Sequence, residues 1–407
     1  MGRRRGWSTI GATNNPRRSS PVPQPNDLSR SLVPLQQDNT LIAVVELSLS
    51  AWLVAGIVPG VERQPLKKLH GNEEALLTLL ERWRDEAAKS GRPAARVVVA
   101  FEAGRDGFWL ARWLQARGIE THVIHPTSIA VSREHRRAKT DRLDTELLKR
   151  AFLGWLRGER GHCSMVAVPT LEEEDAKRPS RERERLVAER TRLVNRMKGA
   201  LARLGIRGFK PTLRSAPERL EALRTPEDAA LPPNTRSELR RDMGRLRLVR
   251  GQIKELETTR LEGLKRASGG TSAMVNLLAQ VVGVGVETAD MLVQEVLSRR
   301  LRDRKAVARY AGLTGARDES GAKRREKGLA KNGNDRVRRG MLQLAWRFLR
   351  FQEASALAQW YRARTADARV ATRKTMIVAL ARKLLIALWR MVTSGEIPEG
   401  VILRPTA

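Results

Sequence analysis

Residues 41–48 read Leu-Ile-Ala-Val-Val-Glu-Leu-Ser. An apolar run this short, rich in β-branched residues, predicts a strand buried on both faces. Glu46 stands near its C-terminal end. A charge left inside Val44-Val45-Glu46-Leu47 would cost several kcal/mol unless it is paired or bound to metal. Outward from this run, Trp52 to Val58 follows after a short connection and predicts a hairpin. Arg96 to Ala103 (RVVVAFEA) repeats the pattern and ends in Glu102-Ala103-Gly104. Thr121 to His125 is a further strand, closed by Pro126. Glu73 to Ser90 is an amphipathic helix, and Gly107 to Ala116 is a helix stopped by Gly118. The order strand, strand, helix, strand, helix, strand, helix argues an α/β domain around a mixed sheet. Ligands of such sheets bind beyond the carboxyl ends of the strands. Glu46 and Glu102 are placed there, although each could equally cap a strand or pair with an arginine.

The next helix is expected from Ala138 to Leu153 and contains Lys139-Thr140-Asp141-Arg142-Leu143-Asp144. Asp141 and Asp144 are three residues apart, so both carboxylates share one helix face. Arg133, Arg136, Arg137, Lys139, Arg142, Lys149 and Arg150 surround them. The pair either relieves a basic helix or offers metal ligands within a surface that attracts phosphate.

The chain has 407 residues, with 77 Lys and Arg against 45 Asp and Glu, a net charge of +32. That length allows two or three domains. That charge bears on partners rather than fold and points to a large polyanion, with nucleic acid ahead of an anionic membrane. One cysteine, Cys163, excludes an internal disulfide and a Cys-rich zinc site. The five histidines show no zinc-ligand spacing, and His162-Cys163 lacks partners in the sequence. A reducing, intracellular setting is the simplest expectation. No apolar signal segment follows the Arg-rich start. Thr375 to Val392 carries Arg382, Lys383 and Arg390, which marks a core helix rather than a membrane span.

Residues 1–38 are polar, basic and rich in Pro, Ser and Asn, and are expected to be a disordered arm. From Leu171 to Ser268 the chain changes character. Arg181 to Leu204 carries Leu186, Leu193, Met197, Leu201 and Leu204; Arg241 to Leu264 carries Leu246, Val249, Ile253 and Leu256. Both predict long amphipathic helices, read as a helical spacer or antiparallel coiled coil. Met274 to Val281, then Gly283-Val284-Gly285, then Glu287 to Leu297 resemble a helix-hairpin-helix element whose backbone amides can hold a DNA phosphate. Further on, Glu319-Ser320-Gly321 precedes Lys323, Arg324, Arg325 and Lys331. Ser320 is either a turn residue or a serine placed to meet a phosphodiester. Helices are expected at Arg336 to Phe351, Ala356 to Thr365 and Thr375 to Val392. The resulting division is an arm (1–38), an α/β domain (39–165), a helical linker (166–270) and a mostly helical domain (271–407).

Taken together, these strings resemble the bacterial insertion-sequence transposases of the "one-ten" family, also called DEDD transposases or bridge-RNA-guided recombinases. The resemblance runs from about residue 40 to 400. Phe101-Glu102-Ala103-Gly104 with the Trp-rich helix after it, and Lys139-Thr140-Asp141-Arg142-Leu143-Asp144, are similar to the acidic motifs of the family's RuvC-like, RNase H-like domain. Gly283 to Gly285, Tyr310-Ala311-Gly312-Leu313, Glu319-Ser320-Gly321 and Lys331-Asn332-Gly333-Asn334 are similar to its serine-bearing transposase domain. The chain departs from the pattern at Glu46, where the family usually has Asp.

The resemblance implies that Glu46, Glu102, Asp141 and Asp144 bind Mg²⁺ (or Mn²⁺) and that Ser320 attacks DNA to give a phosphoserine link. Lys139, Arg142, Gly283, Gly285, Lys323, Arg324, Arg325 and Lys331 would contact nucleic acid. It also implies donor and target double-stranded DNA, a noncoding guide RNA, a homo-oligomer (dimer or tetramer), no membrane, and the bacterial cytoplasm at the nucleoid. A RuvC-like hydrolytic nuclease or junction resolvase, and an inactive DNA-binding element copy, are the alternatives.

Overall fold

The computed structural model describes residues 28–129, 140–267, 269–320, 323–329, 333–367 and 369–405; at 127, 316–320, 323–327 and 371 the description covers the backbone alone. The expected arm therefore lies mostly outside the described residues. Its last part is docked rather than free: Trp155 Nε1 donates to the Leu28 carbonyl (3.1 Å) and the Ser31 amide to the Trp155 carbonyl (2.9 Å).

The first part of the chain builds β1 (Thr40–Leu47), β2 (Ala51–Ile57), β3 (Leu66–His70), α1 (Glu73–Lys89), β4 (Arg96–Glu102), α2 (Trp109–Gln115), β5 (Glu120–Ile124), α3 (Asp141–Leu156) and β6 (Met165–Val166). The strands form one mixed sheet in the order β3-β2-β1-β4-β5-β6. β1 runs antiparallel to β2 and parallel to β4, and β4 runs parallel to β5. The α/β expectation thus holds, with two strands added. β3 was unread because Leu-Lys-Lys-Leu-His offers little apolar pattern, and β6 has only two residues.

Alternation along β1 and β4 splits the apolar runs between two faces. Leu41, Ala43, Val45, Val99 and Phe101 pack with Leu76, Leu80 and Trp83 of α1 and with Leu110 and Leu114 of α2. Ile42, Val44, Val98 and Ala100 pack with Leu148, Phe152 and Trp155 of α3. Gly56 is required where it stands, because a Cβ there would lie 2.7 Å from the Trp83 ring. Asn72 fixes the start of α1 by accepting from the amides of Glu74 and Ala75.

A second core lies between α5 (Arg178–Ala202) and α7 (Pro233–Arg266), preceded by the short α4 (Leu171–Asp175) and interrupted by α6 (Ala216–Glu221). Arg196 pairs with Asp242 and Arg183 with Glu257, so the two long helices run antiparallel. Leu193, Met197, Leu201, Leu246, Val249 and Ile253 are buried between them. The expected stripe is the interface.

A third core gathers α8 (Gly270–Ala279), α9 (Val286–Leu292) with its π-turn Val293–Leu297, α10 (Arg304–Tyr310), α11 (Asp335–Phe351), α12 (Ala356–Thr365) and α13 (Val370–Ser394). Between α10 and α11 stands a two-stranded hairpin, β7 (Gly315–Ser320) and β8 (Lys323–Leu329). This hairpin was not foreseen, since both strands are almost wholly polar. Among the described residues no helix is long and apolar enough to cross a membrane.

Candidate active site

Glu46 is the second-last residue of β1 and Glu102 the last of β4. The two strands are parallel neighbours with Val45 opposite Phe101, so the next residues, Glu46 and Glu102, follow side by side. Both carboxylates are half-buried. By alternation they share the face of Val44 and Ala100, which α3 covers.

The direction of α3 brings the other two acids to the same end. Its C-terminus lies beside the start of β1: Arg157 Nη2 reaches Gln37 Oε1 (3.5 Å), just before Thr40. Sixteen residues of helix and eight of strand both span about 25 Å. The N-terminus of α3 therefore falls near the end of β1, and there lie Asp141, exposed, and Asp144, half-buried.

The sequence explains this first turn. Thr140 is the N-cap, its hydroxyl accepting from the Leu143 amide (3.3 Å), and Thr145 Oγ1 donates to the Asp141 carbonyl (2.6 Å). Two acids in a first turn are favoured by the positive potential of a helix N-terminus. The helix begins at Asp141 rather than at the expected Ala138, and Lys139 lies outside the described residues. Arg142 is exposed on the same turn. Lys149 is corrected: it is buried, and its Nζ is held by Glu146 at 2.9 Å, so it is not available to phosphate.

Hard carboxylate oxygens suit a divalent cation such as Mg²⁺. Among the described residues, however, no three of His, Cys, Asp and Glu lie close enough to hold an ion. The donor set fits; the acids share one end of one face without converging. His162 and Cys163, read as lacking zinc-ligand partners, have local hydrogen-bonding contacts. His162 Nε2 lies 2.6 Å from Glu159, and Cys163 Sγ lies 3.5 Å from the Ala151 carbonyl. Burial pushes the Cys163 thiol up to about 12. At the opposite end of the strands, where β4 and β5 begin, His122 and Arg96 hold Glu120 down to about 2.

Ser320 is the last residue of β7, opposite Lys323 of β8; Arg324 and Arg325 oppose Glu319 and Asp318. Their side chains, and Lys331, lie outside the description. Gly283 is left-handed (φ 95°) within the turn between α8 and α9. That turn is braced from behind. The buried Gln352 donates to the carbonyls of Val282 (2.8 Å) and Ile402 (2.9 Å), and the Val282 amide is taken by Ile402.

The sequence reading missed Glu295, in the π-turn. It is almost wholly buried. Its carboxylate accepts from Arg181 Nε and Nη2 (2.9 and 3.2 Å), Arg336 Nη1 (2.5 Å) and Asn334 Nδ2 (3.0 Å). Burial alone would raise its pKa; Arg181, Asn334 and Arg336 outweigh that and hold it below the usual carboxylate range. The signal was present as one acid inside Val293-Gln294-Glu295-Val296-Leu297. Asn334 also caps α11, and its amide donates to the Tyr310 carbonyl (2.6 Å). Gly333 before it is left-handed (φ 94°), and a Cβ there would stand 2.5 Å from the same carbonyl. Tyr310-Ala311-Gly312-Leu313 and Gly333-Asn334 thus clamp the two ends of the segment that carries Ser320.

The mixed sheet, with three antiparallel and two parallel neighbours, fits the RNase H-like α/β fold that a DEDD transposase domain implies. Residues 62–206 match a DEDD transposase family of the IS110 type, and residues 275–361 match the transposase IS116/IS110/IS902 family. The "Putative transposase y4rJ" of Sinorhizobium fredii is 42% identical over 372 residues, covering 88% of this chain and 93% of that one. "Putative transposase y4pF/y4sB" of the same organism is 28% identical over 77% of each chain. The chain belongs to the IS110 family of transposases, enzymes that act on DNA.

Proposed function

We propose that the chain excises and inserts an insertion sequence by metal-dependent cleavage and rejoining of DNA strands. One observation carries this reading. Glu46 and Glu102 end adjacent parallel strands on the face covered by α3, whose first turn supplies Asp141 and Asp144. These four residues would hold Mg²⁺ or Mn²⁺, which when bound supplies Lewis acidity to the scissile phosphate. Holding an ion there would require the four carboxylates to close on one another. Glu46 reaches one methylene further than the Asp usual in the family, so it serves from the second-last position of its strand. Arg142, exposed on the acidic turn, neutralises a phosphate beside them.

Ser320 is the nucleophile of the finer reading. Its Oγ forms a bond to phosphorus while one phosphorus–deoxyribose oxygen bond breaks; the released sugar oxygen takes the serine proton. A hydroxyl of the incoming strand then reverses the step and frees the serine. Lys323, Arg324 and Arg325 offset the phosphate charge. Support comes from the clamp at Tyr310 and Asn334, which fixes both ends of the hairpin. A structured noncoding RNA selects the sites, consistent with positive charge spread along the whole chain. Two or more copies assemble, with the α5–α7 pair setting their spacing. We divide the chain into α/β, linker and C-terminal parts at 39–165, 166–270 and 271–407, a reading supported by the separate hydrophobic clusters in each.

The test traps complexes under denaturing conditions after incubation with donor and target DNA, the flanking noncoding RNA and Mg²⁺. A protein–DNA adduct in wild type, lost in Ser320→Ala and in Glu102→Ala, is expected. Free cut DNA in wild type and in Ser320→Ala, with no adduct, would instead mark the hydrolytic nuclease. Glu46→Asp is expected to keep or raise activity.

A further inference from the structure

The outward face of α11 is not used by the reading above. Its buried side is Val337, Met341, Leu344, Ala345 and Phe348. The opposite side, at spacing i, i+3, i+4, i+7, is Gln343, Trp346, Arg347 and Arg350, all exposed. Trp346 is 53% exposed, its ring set edge-on to Tyr361 at 6.4 Å, and Phe351 at the border is 45% exposed. Two large aromatic rings held in solvent within six residues need a reason.

The cations of this one helix divide into two groups. In its first turns Arg336, Arg338 and Arg339 are all paired, with Glu295, Glu184 or Asp335. Arg347 and Arg350 make no ion pair with any described carboxylate, and from Arg336 to Gln352 the sequence holds no acid. The face adjoins the braced turn between α8 and α9. Arg347 Nη2 lies 3.7 Å from where a Cβ on Gly285 would stand, and the Phe351 Cβ lies 3.1 Å from the matching point on Gly283. Arg350 covers the Phe351 ring at 5.6 Å.

We infer that this face, Gln343, Trp346, Arg347, Arg350 and Phe351, binds DNA whose bases are unpaired, with Trp346 as the stacking platform. Unpaired cations meet the backbone phosphates, and an exposed indole offers a π-face that any base accepts. Trp has one N–H donor and no acceptor, which suits stacking better than reading base edges in a duplex groove. Strand exchange exposes such bases next to the cut. The inference rests on the family's action on DNA and not on the four acids.

The test uses the full chain in EDTA, so that no cleavage is needed. The probe is a DNA duplex with a short central bubble carrying 2-aminopurine, beside the fully paired duplex. Wild type should quench the probe and prefer the bubble. Trp346→Ala should lose the quench and about tenfold in bubble affinity, with the paired duplex unaffected, while Trp346→Phe keeps most of both. Arg347→Ala and Arg350→Ala should each flatten the salt dependence by about one unit of slope. Unchanged bubble affinity and quench in Trp346→Ala would overturn the inference. So would a loss of assembly size in sedimentation with bubble binding intact, which would assign the face to contacts between copies, or a loss confined to RNA. Glu102→Ala should bind the bubble as wild type does, which separates this proposal from the catalytic one.

Discussion

The carboxylates at the end of the sheet and the carboxylate of the π-turn are chemically alike and stand in opposite settings. Glu46, Glu102 and Asp144 are half-buried and Asp141 is exposed, and no three of them close on one another. Glu295 is buried and receives four hydrogen bonds from three side chains. Glu295 is closed off by Arg181, Arg336 and Asn334 around it, whereas the acids at the sheet end lie nearer the surface, where a ligand can reach them. Depth of burial is therefore the contrast: a deeply buried carboxylate among cations holds the fold, while accessible ones are the candidates for chemistry.

The comparison breaks first at activity. Asp144→Ala is expected to lower strand cleavage by roughly a thousand-fold while leaving the thermal unfolding midpoint within a few degrees. A similar loss of cleavage from a carboxylate variant away from both the sheet end and Ser320 would weaken the contrast. Glu295→Ala should do the reverse in kind. It leaves Arg181 and Arg336 facing one another without their acceptor and is expected to cost about 3–5 kcal/mol of stability, read by denaturant unfolding. Gly333→Ala, forced into a left-handed backbone against the Tyr310 carbonyl, should cost about 2 kcal/mol or more, in the same assay.

Smaller effects sharpen the account within the α/β domain. Glu120 is held at about 2 by His122 and Arg96, below its ordinary value of 4.5. A carboxylate depressed in the folded state adds stability above its unfolded pKa, and that contribution fades as pH falls from 4.5 towards 2. Glu120→Gln should flatten the stability profile across that window. Cys163, with its thiol raised to about 12 by burial, should resist a thiol reagent at pH 8 until the protein unfolds.

What could be read from sequence follows the same division. The strands β1, β2 and β4 were legible because apolar runs of seven or eight residues have few other uses, and Glu46 and Glu102 stood out near the ends of β1 and β4. The pairing of α5 with α7 was legible from periodic Leu and Val. The β7–β8 hairpin was not, because Gly-Ala-Arg-Asp-Glu-Ser and Lys-Arg-Arg-Glu-Lys-Gly-Leu contain almost nothing apolar to alternate. Lys149 misled because a charge count cannot say which way a lysine points, and Glu146 turns it inward. Glu295 was invisible as a hub since its partners come from positions 181, 334 and 336, brought together only by the fold.

The most direct measurement is Mn²⁺ binding, followed by electron paramagnetic resonance with DNA present, for wild type and the four variants Glu46→Ala, Glu102→Ala, Asp141→Ala and Asp144→Ala. Wild type should bind the ion, and each variant should lose or sharply weaken that binding while remaining folded. Undiminished binding in all four would contradict the assignment of the metal to this end of the sheet.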